Sequence, residues 1–311
     1  MSRRGILDYL GLHRQDLRAW AMYDWANSAF QTTIIAAVFP IYFQRVAAAD
    51  LSGPVATERF AWATTIAILI VAILAPPLGA IADYAGRKKR FLAVFLAVGA
   101  IATAAMYFIQ RGDWALALGL FVVGNVGVAG SIVFYESLLP HIASEQELDR
   151  VSSAGYALGY VGGGILLAIN LAMIQKPALF GFANAGTATR WSLASVALWW
   201  VLFSIPLFRH VPEPARLLEE AETGTEGAVS AAIKRLVITF RELRQYKQAF
   251  IFLLAFLIYN DGIQTIIRMA TTYGAEIGLD DNAMITALLI TQFVGIPFAF
   301  LFGIVAHRVG A

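Results

Sequence analysis

The sequence contains no cysteine, which excludes disulfide bonds, iron–sulfur ligation and thiol catalysis. It also carries little charge, because 14% of its 311 residues are charged and 59% are hydrophobic, against about 25% charge in ordinary soluble domains. The net charge of +2 is too small to indicate a nucleic-acid partner. Four histidines without metal-ligand spacing, and no Walker A or G-x-S-x-G string, indicate no metal site, no cofactor, no ATP hydrolysis and no serine hydrolase. An ordinary soluble enzyme is therefore excluded.

Long apolar runs make up most of what is present, and each can cross the roughly 30 Å hydrocarbon core of a bilayer as a helix. Five are uncharged, a sixth ends near Glu136, and two carry charge inside: Asp24 in the first run, and Asp261 and Arg268 in the seventh. Prolines within several runs predict bends, which membrane helices tolerate. The fold class predicted is all-α, a polytopic membrane protein with eight transmembrane helices. These spans cover 19–44, 60–82, 91–109, 114–139, 151–174, 191–208, 249–273 and 283–306.

The positive charge is distributed unevenly across these spans. Most of the 23 Lys and Arg residues fall on the side of the N-terminus, which the positive-inside rule places in the cytoplasm. The first 20 residues lack a signal peptide and predict a short interfacial helix. The predicted location is a bacterial plasma membrane, with both ends of the sequence on the cytoplasmic face.

A polar segment divides the chain into three parts: a six-helix bundle over 1–209, a cytoplasmic linker over 210–248, and the first two helices of a second bundle over 249–311. Within the linker, apolar residues recur at helical spacing among Lys and Arg, which is typical of an amphipathic helix. That pattern fits a helix on the inner leaflet and a helix packed on the bundle ends equally well. The apolar positions are Val229, Ile233, Leu236, Val237, Phe240 and Leu243.

Weak internal repeats support two related halves. The string 79–90 is echoed by 303–310, and residues 23–32 are echoed by 259–265, each at an equivalent place in its half. Six spans, a linker and the start of a second set is the profile of transporters built from two six-helix halves. Two helices cannot enclose a cavity on their own, so we expect the gene to continue, or once to have continued, through about four more spans, to twelve in all. We expect the 311 residues expressed alone neither to transport nor to fold as a stable monomer.

The string 79–90 resembles the loop motif of the major facilitator superfamily, G-x-x-x-D-x-x-G-R-[KR], and matches it at five positions. Further strings resemble one branch of that superfamily, the vacuole-effluxer family of the autophagy-related permease and its bacterial homologues; they lie at 23–30, 134–140, 152–160 and 259–262. The resemblance implies a twelve-helix major facilitator fold and the export of amino acids from a lumen. The five loop positions, which form a candidate gating loop, are Gly79, Asp83, Gly86, Arg87 and Lys88.

Polar side chains inside the spans are the candidate substrate or coupling groups, because a charge at the bilayer centre costs roughly 2.5–3.5 kcal/mol on insertion scales. In the first span they recur at i, i+3, i+4 and i+7, which gathers them on one helix face, and the seventh span repeats the pattern. Two such faces are what a central cavity needs. The candidates are Asp24, Asn27, Gln31, Asn125, Tyr160, Asn260, Asp261 and Gln264.

Several of these positions have a structural alternative. Asp24 lies near the cytoplasmic end of its span and fits a pair with Arg18 as well as it fits a cavity, so Asp261 is favoured as the buried group. Arg268 is predicted to snorkel to the outer interface and Glu136 to be an interfacial carboxylate. Glycines at every fourth residue of 155–163 predict close helix packing.

The function predicted is secondary active transport of a small polar metabolite by alternating access, with the loop after the second span as the cytoplasmic gate. In that loop, the glycines would allow close packing and a turn, Asp83 would accept charge-assisted hydrogen bonds, and 87–90 would grip the inner membrane surface. The expected partners are the bilayer, a small-molecule substrate and a coupling proton or cation. The alternative is a receptor or scaffold that keeps the bundle, against which a buried Asp261 would argue.

Overall fold

The computed structural model describes residues 5–214, 237–238, 241 and 245–309, and every regular element within those ranges is a helix. Seven of the described helices are long and apolar enough to cross a membrane, which confirms the all-α membrane prediction. The predicted first span is built differently, from four shorter helical segments joined end to end. The first span comprises Gln15–Ala29, Phe30–Ala37, Val38–Tyr42 and Phe43–Ala47; the second to eighth are Gly53–Ala85, Lys88–Ala105, Trp114–Glu136, Leu148–Gln175, Ala185–His210, Lys247–Glu276 and Asp281–Val309. Short helices also form at Ile6–Tyr9 and Leu139–Ile142.

Most of the observed helices extend beyond the predicted apolar runs, whereas the third and fourth α-helices end at Ala105 and Glu136, before the predicted 109 and 139. The second span covers Gly53–Ala85 where 60–82 was expected, and the seventh covers Lys247–Glu276 where 249–273 was expected. Hydropathy detects only the part of a helix that matches the hydrocarbon core, whereas the backbone stays helical through the polar turns at each end. The extension changes the depth assigned to any residue near a predicted span end.

The first span changes its helical geometry halfway across. An α-helix ends at Ala29, a π-helical segment covers Phe30–Ala37, and a second one covers Phe43–Ala47 after the short α-helix that contains Pro40. π-Helical turns are rare and occur frequently at functional sites. Prolines at 76, 77, 206 and 297 lie inside helices that continue through them.

The first span forms the centre of the bundle and is buried along most of its length. Glycines of the fifth span lie against it, as predicted: a Cβ added at Gly159 would come within 2.5 Å of Ser28 Oγ, and one at Gly163 within 2.9 Å of Thr32 Cγ2. Helices can approach this closely only where side chains are missing. The C-terminal half of the first span packs through aromatic rings, and Phe39 stacks on Phe121 of the fourth span at a centroid distance of 5.0 Å.

The seventh and eighth spans pack on the first bundle in different ways. We call the side of the bundle opposite the N-terminal end of the first span the outer side. The eighth span packs along the fifth, where Gly295 lies against the ring of Tyr160. The seventh span is buried only near its outer end, at Thr271, Thr272, Gly274 and Ala275. Most of its remaining length is exposed in the described part of the chain, and Asn260, Arg268 and Met269 are half-buried.

Some sequence predictions concern residues outside the described ranges. The linker positions Val229, Ile233, Leu236, Phe240 and Leu243 of the predicted amphipathic helix are among them. So are the side chain of Asp83 in the loop and the last residue of the repeat at 303–310.

Candidate functional site

Asp24 is a buried carboxylate enclosed by the first, fourth and fifth spans. Its side chain is 9% exposed, and the hydroxyl of Tyr135 donates a hydrogen bond to Oδ2 at 3.0 Å. The fifth span leaves room for it at Gly155, where an added Cβ would lie 2.6 Å from Oδ2. No Lys or Arg side chain within the described residues forms an ion pair with it. Asp24 is therefore a buried carboxylate hydrogen-bonded to a neutral phenol, which makes it a candidate functional group within the membrane.

The predicted alternative for Asp24 is wrong, because Arg18 faces elsewhere. Its guanidinium donates to the backbone oxygens of Leu12 and His13, each at 3.3 Å, at the start of the first span. The carboxylate lies two turns further along the helix, where the fourth and fifth spans cover it. An arginine at the helix start cannot reach into that contact without breaking it.

The other polar residues of the first span line the same region. Asn27 is buried and its Nδ2 donates to the Tyr23 oxygen at 3.0 Å, one turn earlier on the same helix. Gln31 is half-buried at the start of the first π-helical segment. Thr32, next to it, donates to the oxygen of Gly163 at 3.3 Å. The polar face predicted for this helix is therefore present, and most of it meets the fifth span.

Asn125 and Arg268 form the second polar contact inside the membrane-spanning region. Asn125, on the fourth span, is 4% exposed, and its Oδ1 accepts a hydrogen bond from Nη1 of Arg268 on the seventh span at 2.9 Å. The two side chains border a cavity of about 220 Å³ between the second, fourth and seventh spans. This contact joins the two parts of the chain at mid-depth.

The prediction that Arg268 snorkels to the outer interface is wrong. The seventh span continues to Glu276, so Arg268 lies eight residues, or roughly 12 Å, inside its outer end. The side chain turns away from that end and toward Asn125 on the fourth span, to which it donates a hydrogen bond at 2.9 Å. The predicted span end at 273 placed Arg268 five residues from the end of its helix, whereas the observed end at Glu276 places it eight residues away.

The expectation of a buried Asp261 is likewise not met, since its side chain is exposed in the described part of the chain. Gln264 is also exposed, and Asn260 is only half-buried. The seventh span is buried near its outer end and contacts Asn125 through Arg268, whereas the turns that carry Asp261 and Gln264 are exposed among the described residues. Of the two carboxylates compared in the sequence, Asp24 is the buried one. Tyr160 is half-buried against Gly295 of the eighth span.

Hydrogen bonds between the two parts of the chain are concentrated at the outer side, and we call them the outer seal. Nη2 of Arg45 lies 3.2 Å from Oδ1 of Asp281, and the hydroxyl of Thr57 donates to Oε2 of Glu276 at 2.5 Å. Gln175 contributes a third contact through its amide, 3.4 Å from Oδ1 of Asn282. The outer ends of the first, second and fifth spans are thus tied to the last residue of the seventh span and the first two residues of the eighth.

A proline in the first span leaves a backbone carbonyl free to accept one further hydrogen bond of the outer seal. Pro40 has no N–H to donate to the carbonyl of Ala36 four residues earlier. The hydroxyl of Thr271 on the seventh span donates to that carbonyl at 2.6 Å. A backbone group freed by a proline inside the membrane needs such a partner, because lipid offers none. The bend in the first span is therefore satisfied by the second part of the chain.

The structure shows a role for two of the five predicted gating-loop residues, Gly86 and Lys88, and for the neighbouring Lys89. Gly86 makes the turn with a φ of 58°, as expected. Nζ of Lys88 donates to the Ser137 oxygen at 3.2 Å, beside the end of the fourth span, and Lys89 donates to the Val211 oxygen at 2.6 Å, beyond the sixth. Lysines favour such helix ends because the carbonyls there carry partial negative charge.

Two expectations for this loop need correction. Lys88 and Lys89 bind helix ends within the bundle instead of the membrane surface, and of the basic run only Arg87 and Arg90 are exposed. Gly79 has nothing within 4 Å of an added Cβ, so the close packing expected there is absent among the described residues.

Three important residues were missed or misjudged from sequence. Tyr135 was noted only within a family string, although an aromatic hydroxyl inside a span is a usable signal for a buried partner. Arg268 follows Asp261 and Gln264 at helical spacing, which already placed it on the polar face. Thr271 gave no signal, because its role depends on a carbonyl more than 200 residues away.

Comparison with known proteins assigns this architecture to a family. The family model described as vacuole effluxer Atg22 like matches residues 51–149 and 143–311. An uncharacterized MFS-type transporter, YxiO of Bacillus subtilis (strain 168), is 36% identical over 292 residues, which are 93% of this chain and 67% of YxiO. Autophagy-related protein 22 of Coccidioides immitis (strain RS) is 22% identical over 397 residues, with 95% of this chain and 65% of that protein covered. The chain thus spans about two thirds of the length of these relatives.

Solved structures show the same fold at low identity. The xylose transporter XylE from E. coli, in a partially occluded inward open conformation, superposes with a TM-score of 0.64 at 12% identity, covering 95% of this chain and 73% of XylE. A D-xylose-proton symporter gives a TM-score of 0.58 at 13% identity over 91% of this chain and 66% of the symporter. The helices described above are therefore arranged as in the major facilitator fold.

Proposed function

The chain belongs to the Atg22-like vacuole effluxer family, whose members here include an MFS-type transporter, and we propose that it is a secondary active transporter working by alternating access. The observation that carries the proposal is the asymmetry of the contact between its two parts. The outer seal closes one side, while a cavity that is bordered by Asn125 and Arg268 and otherwise lined by aliphatic side chains lies below it. A site near the bilayer midplane, closed on one side at a time, is what alternating access requires.

The transported substrate is a small polar metabolite, and we assign it to the amino acids. The family description as an effluxer and the resemblance of residues 23–30 support export from a lumen or across the plasma membrane. The cytoplasm is assigned to the side opposite the outer seal, on the basis of the distribution of Lys and Arg. In that orientation the described structure is closed to the outside.

The coupling group in this proposal is Asp24. It lies where a proton can be bound without a competing cation, with Tyr135 as its hydrogen-bond donor. One structural neighbour is titled a D-xylose-proton symporter, which supports a proton as the coupling ion. Protonation would remove a buried charge between the first, fourth and fifth spans and so favour a different packing of those helices.

The remaining parts take structural roles in the cycle. The six spans up to residue 209 form one bundle, residues 249–311 begin the other, and 210–248 link them on the cytoplasmic side. The loop from Gly79 to Lys88 controls the cytoplasmic gate, since Lys88 binds the end of the fourth span and would have to follow any movement of it.

A reconstitution experiment tests the proposal. The purified full-length protein is placed in proteoliposomes, and uptake of each radiolabelled amino acid is measured with and without an imposed pH gradient, against protein-free vesicles. We expect uptake of a subset of amino acids that increases with the gradient. Binding of an amino acid without flux would contradict transport and indicate a receptor.

A second arm tests alternating access itself. Because the chain has no native cysteine, Thr57→Cys and Glu276→Cys can be joined across the outer seal by a short, reducible bis-thiol crosslinker. We expect crosslinking to stop uptake and reduction to restore it, while either single variant is unaffected by the reagent. Uptake that continues in the crosslinked protein would contradict a rocking movement at this contact.

A further inference from the structure

Arg268 is a cation inside the membrane-spanning region without a counter-charge. No acidic side chain of the described residues forms an ion pair with it, and its Nε is buried without a hydrogen-bond partner. Charged side chains at this depth normally pair with each other or face an aqueous cavity that serves the substrate. Arg268 faces such a cavity, so its missing partner points to a ligand.

Asn125 fixes the direction of the guanidinium. Its Nδ2 donates to the oxygen of Phe121 at 2.8 Å, which leaves Oδ1 to accept from Nη1 of Arg268 at 2.9 Å. Since Nη1 is occupied, the edge formed by Nε and Nη2 is the part of the guanidinium left to bind something else. Two parallel N–H groups on one edge match the two oxygens of a carboxylate.

The walls of the cavity restrict the rest of the ligand. Apart from Asn125 and Arg268, the cavity of about 220 Å³ is lined by small or aliphatic side chains. A single arginine balances a single negative charge, whereas a phosphate monoester carries about −1.5 to −2 at neutral pH. The aliphatic lining residues are Ala67, Ile68, Val71, Ala72 and Ala129.

We propose that Arg268, oriented by Asn125, binds the carboxylate of the transported substrate, with the apolar part of the substrate between the second and fourth spans. This inference rests on the proposed transport function and assigns a residue and a chemical group to its cavity. Asn125 is a positioning residue in this arrangement. Its amide sets which edge of the guanidinium is presented.

Binding of two ligands of the same shape, one charged and one neutral, tests whether Arg268 recognises a carboxylate, without any measurement of flux. Isovalerate and isovaleramide have nearly the same shape and differ in the carboxylate. Isothermal titration of the full chain, in nanodiscs of phosphatidylcholine alone, compares the two and adds inorganic phosphate as a third probe. We expect isovalerate to bind about ten-fold more tightly than isovaleramide, as charge-assisted hydrogen bonds provide, and phosphate to bind more weakly than isovalerate.

Variants then assign the preference to Arg268. Arg268→Gln should bind isovalerate and isovaleramide equally, and Arg268→Lys should keep a reduced preference, because a lysine has the charge without the two-pronged edge. Arg190→Gln is the matched control: it removes an arginine that lies over the ring of Tyr107, at 5.3 Å from its centroid, and should leave the preference unchanged.

A further variant distinguishes loss of the binding site from loss of the fold. Asn125→Asp places a carboxylate beside Arg268, which should stabilise the contact and compete with isovalerate, so affinity falls while thermal stability is kept. Equal binding of isovalerate and isovaleramide to the wild type, or an unchanged preference in Arg268→Gln, would overturn the proposal. Tighter binding of phosphate than of isovalerate would overturn the assignment to a carboxylate. None of these outcomes depends on whether amino acid flux is observed.

Discussion

Two carboxylates within membrane spans of this chain have different surroundings. Asp24 is enclosed by helices and bonded to Tyr135, whereas Asp261 is exposed on the seventh span. A charged group buried in a membrane span is costly unless it is paired or serves function, whereas an exposed one is not enclosed by the fold. This difference makes Asp24 the better candidate for coupling.

We predict that Asp24→Asn abolishes uptake driven by a pH gradient while exchange of labelled for unlabelled substrate continues. Asparagine fits the same space and can accept the hydrogen bond from Tyr135, so the fold is retained while the protonation step is lost. The measurement is gradient-driven uptake and exchange in the same proteoliposomes, with the amino acid that gives the largest wild-type flux.

Two variants serve as comparisons for Asp24→Asn. Tyr135→Phe keeps the carboxylate and should slow uptake without removing its response to the gradient. Asp261→Asn should retain gradient-driven uptake, because that side chain is exposed in the described chain. The opposite result, with Asp261→Asn uncoupled and Asp24→Asn unaffected, would return the coupling role to the seventh span.

At the scale of the helices, glycine determines how closely the spans approach. The third and fourth spans come together at Gly99 and Gly127, where a Cβ added to Gly127 would lie 2.4 Å from Gly99 Cα. The obstacle there is backbone, which cannot rotate away as a side chain can. In lipid, such close packing supplies much of the attraction between helices.

We predict that Gly127→Ala destabilises the bundle by about 1–3 kcal/mol, the usual cost of overpacking. Gly119→Ala on the same helix is the matched control, since nothing lies within 4 Å of its added Cβ. Thermal unfolding in detergent, followed by tryptophan fluorescence, should show a lower midpoint for Gly127→Ala and an unchanged or slightly higher one for Gly119→Ala. Equal midpoints would mean that the two helices separate at little cost.

At the scale of the whole molecule, the two parts of the chain are held together mainly at the outer side. The exposed ion pair of Arg45 and Asp281 contributes little by itself, since such pairs are worth about 0.2–1 kcal/mol. The bond from Thr271 to the carbonyl of Ala36 is buried and satisfies a group that Pro40 leaves free. We therefore expect Thr271 to matter more for keeping the outer side closed.

We predict that Thr271→Val increases the outward-open population by about two- to ten-fold, the equivalent of one net hydrogen bond of about 0.5–1.5 kcal/mol. The assay introduces Ala129→Cys into the cavity wall and measures its labelling in cells by a membrane-impermeant maleimide. Thr272→Val is the control, because the neighbouring hydroxyl is buried without a hydrogen-bond partner and its loss breaks no contact. Identical labelling rates in the two variants would show that this bond does not hold the outer side closed.

The sequence alone determined the class of the protein and the course of its chain through the membrane. Hydropathy is a local property, so each span could be located from its own residues, and the glycine spacing at 155–163 gave a packing face that the structure confirms. The resemblance of the loop at 79–90 and of residues 23–30 indicated the family, to which the comparisons assign the chain. These conclusions needed no knowledge of which helix lies beside which.

Only the tertiary structure decided which intramembrane charges are buried and what they contact. Asp24 and Asp261 look alike in sequence, and burial distinguishes them through helices more than 100 residues away from Asp24. Arg268 was assigned to the interface because hydropathy ended its span too early, whereas the continuing helix and Asn125 place it at mid-depth. Lys88 and Lys89 were expected at the membrane surface, and the carbonyls they bind belong to the ends of other helices. In each case the deciding partner is distant in sequence, and helix packing sets its position.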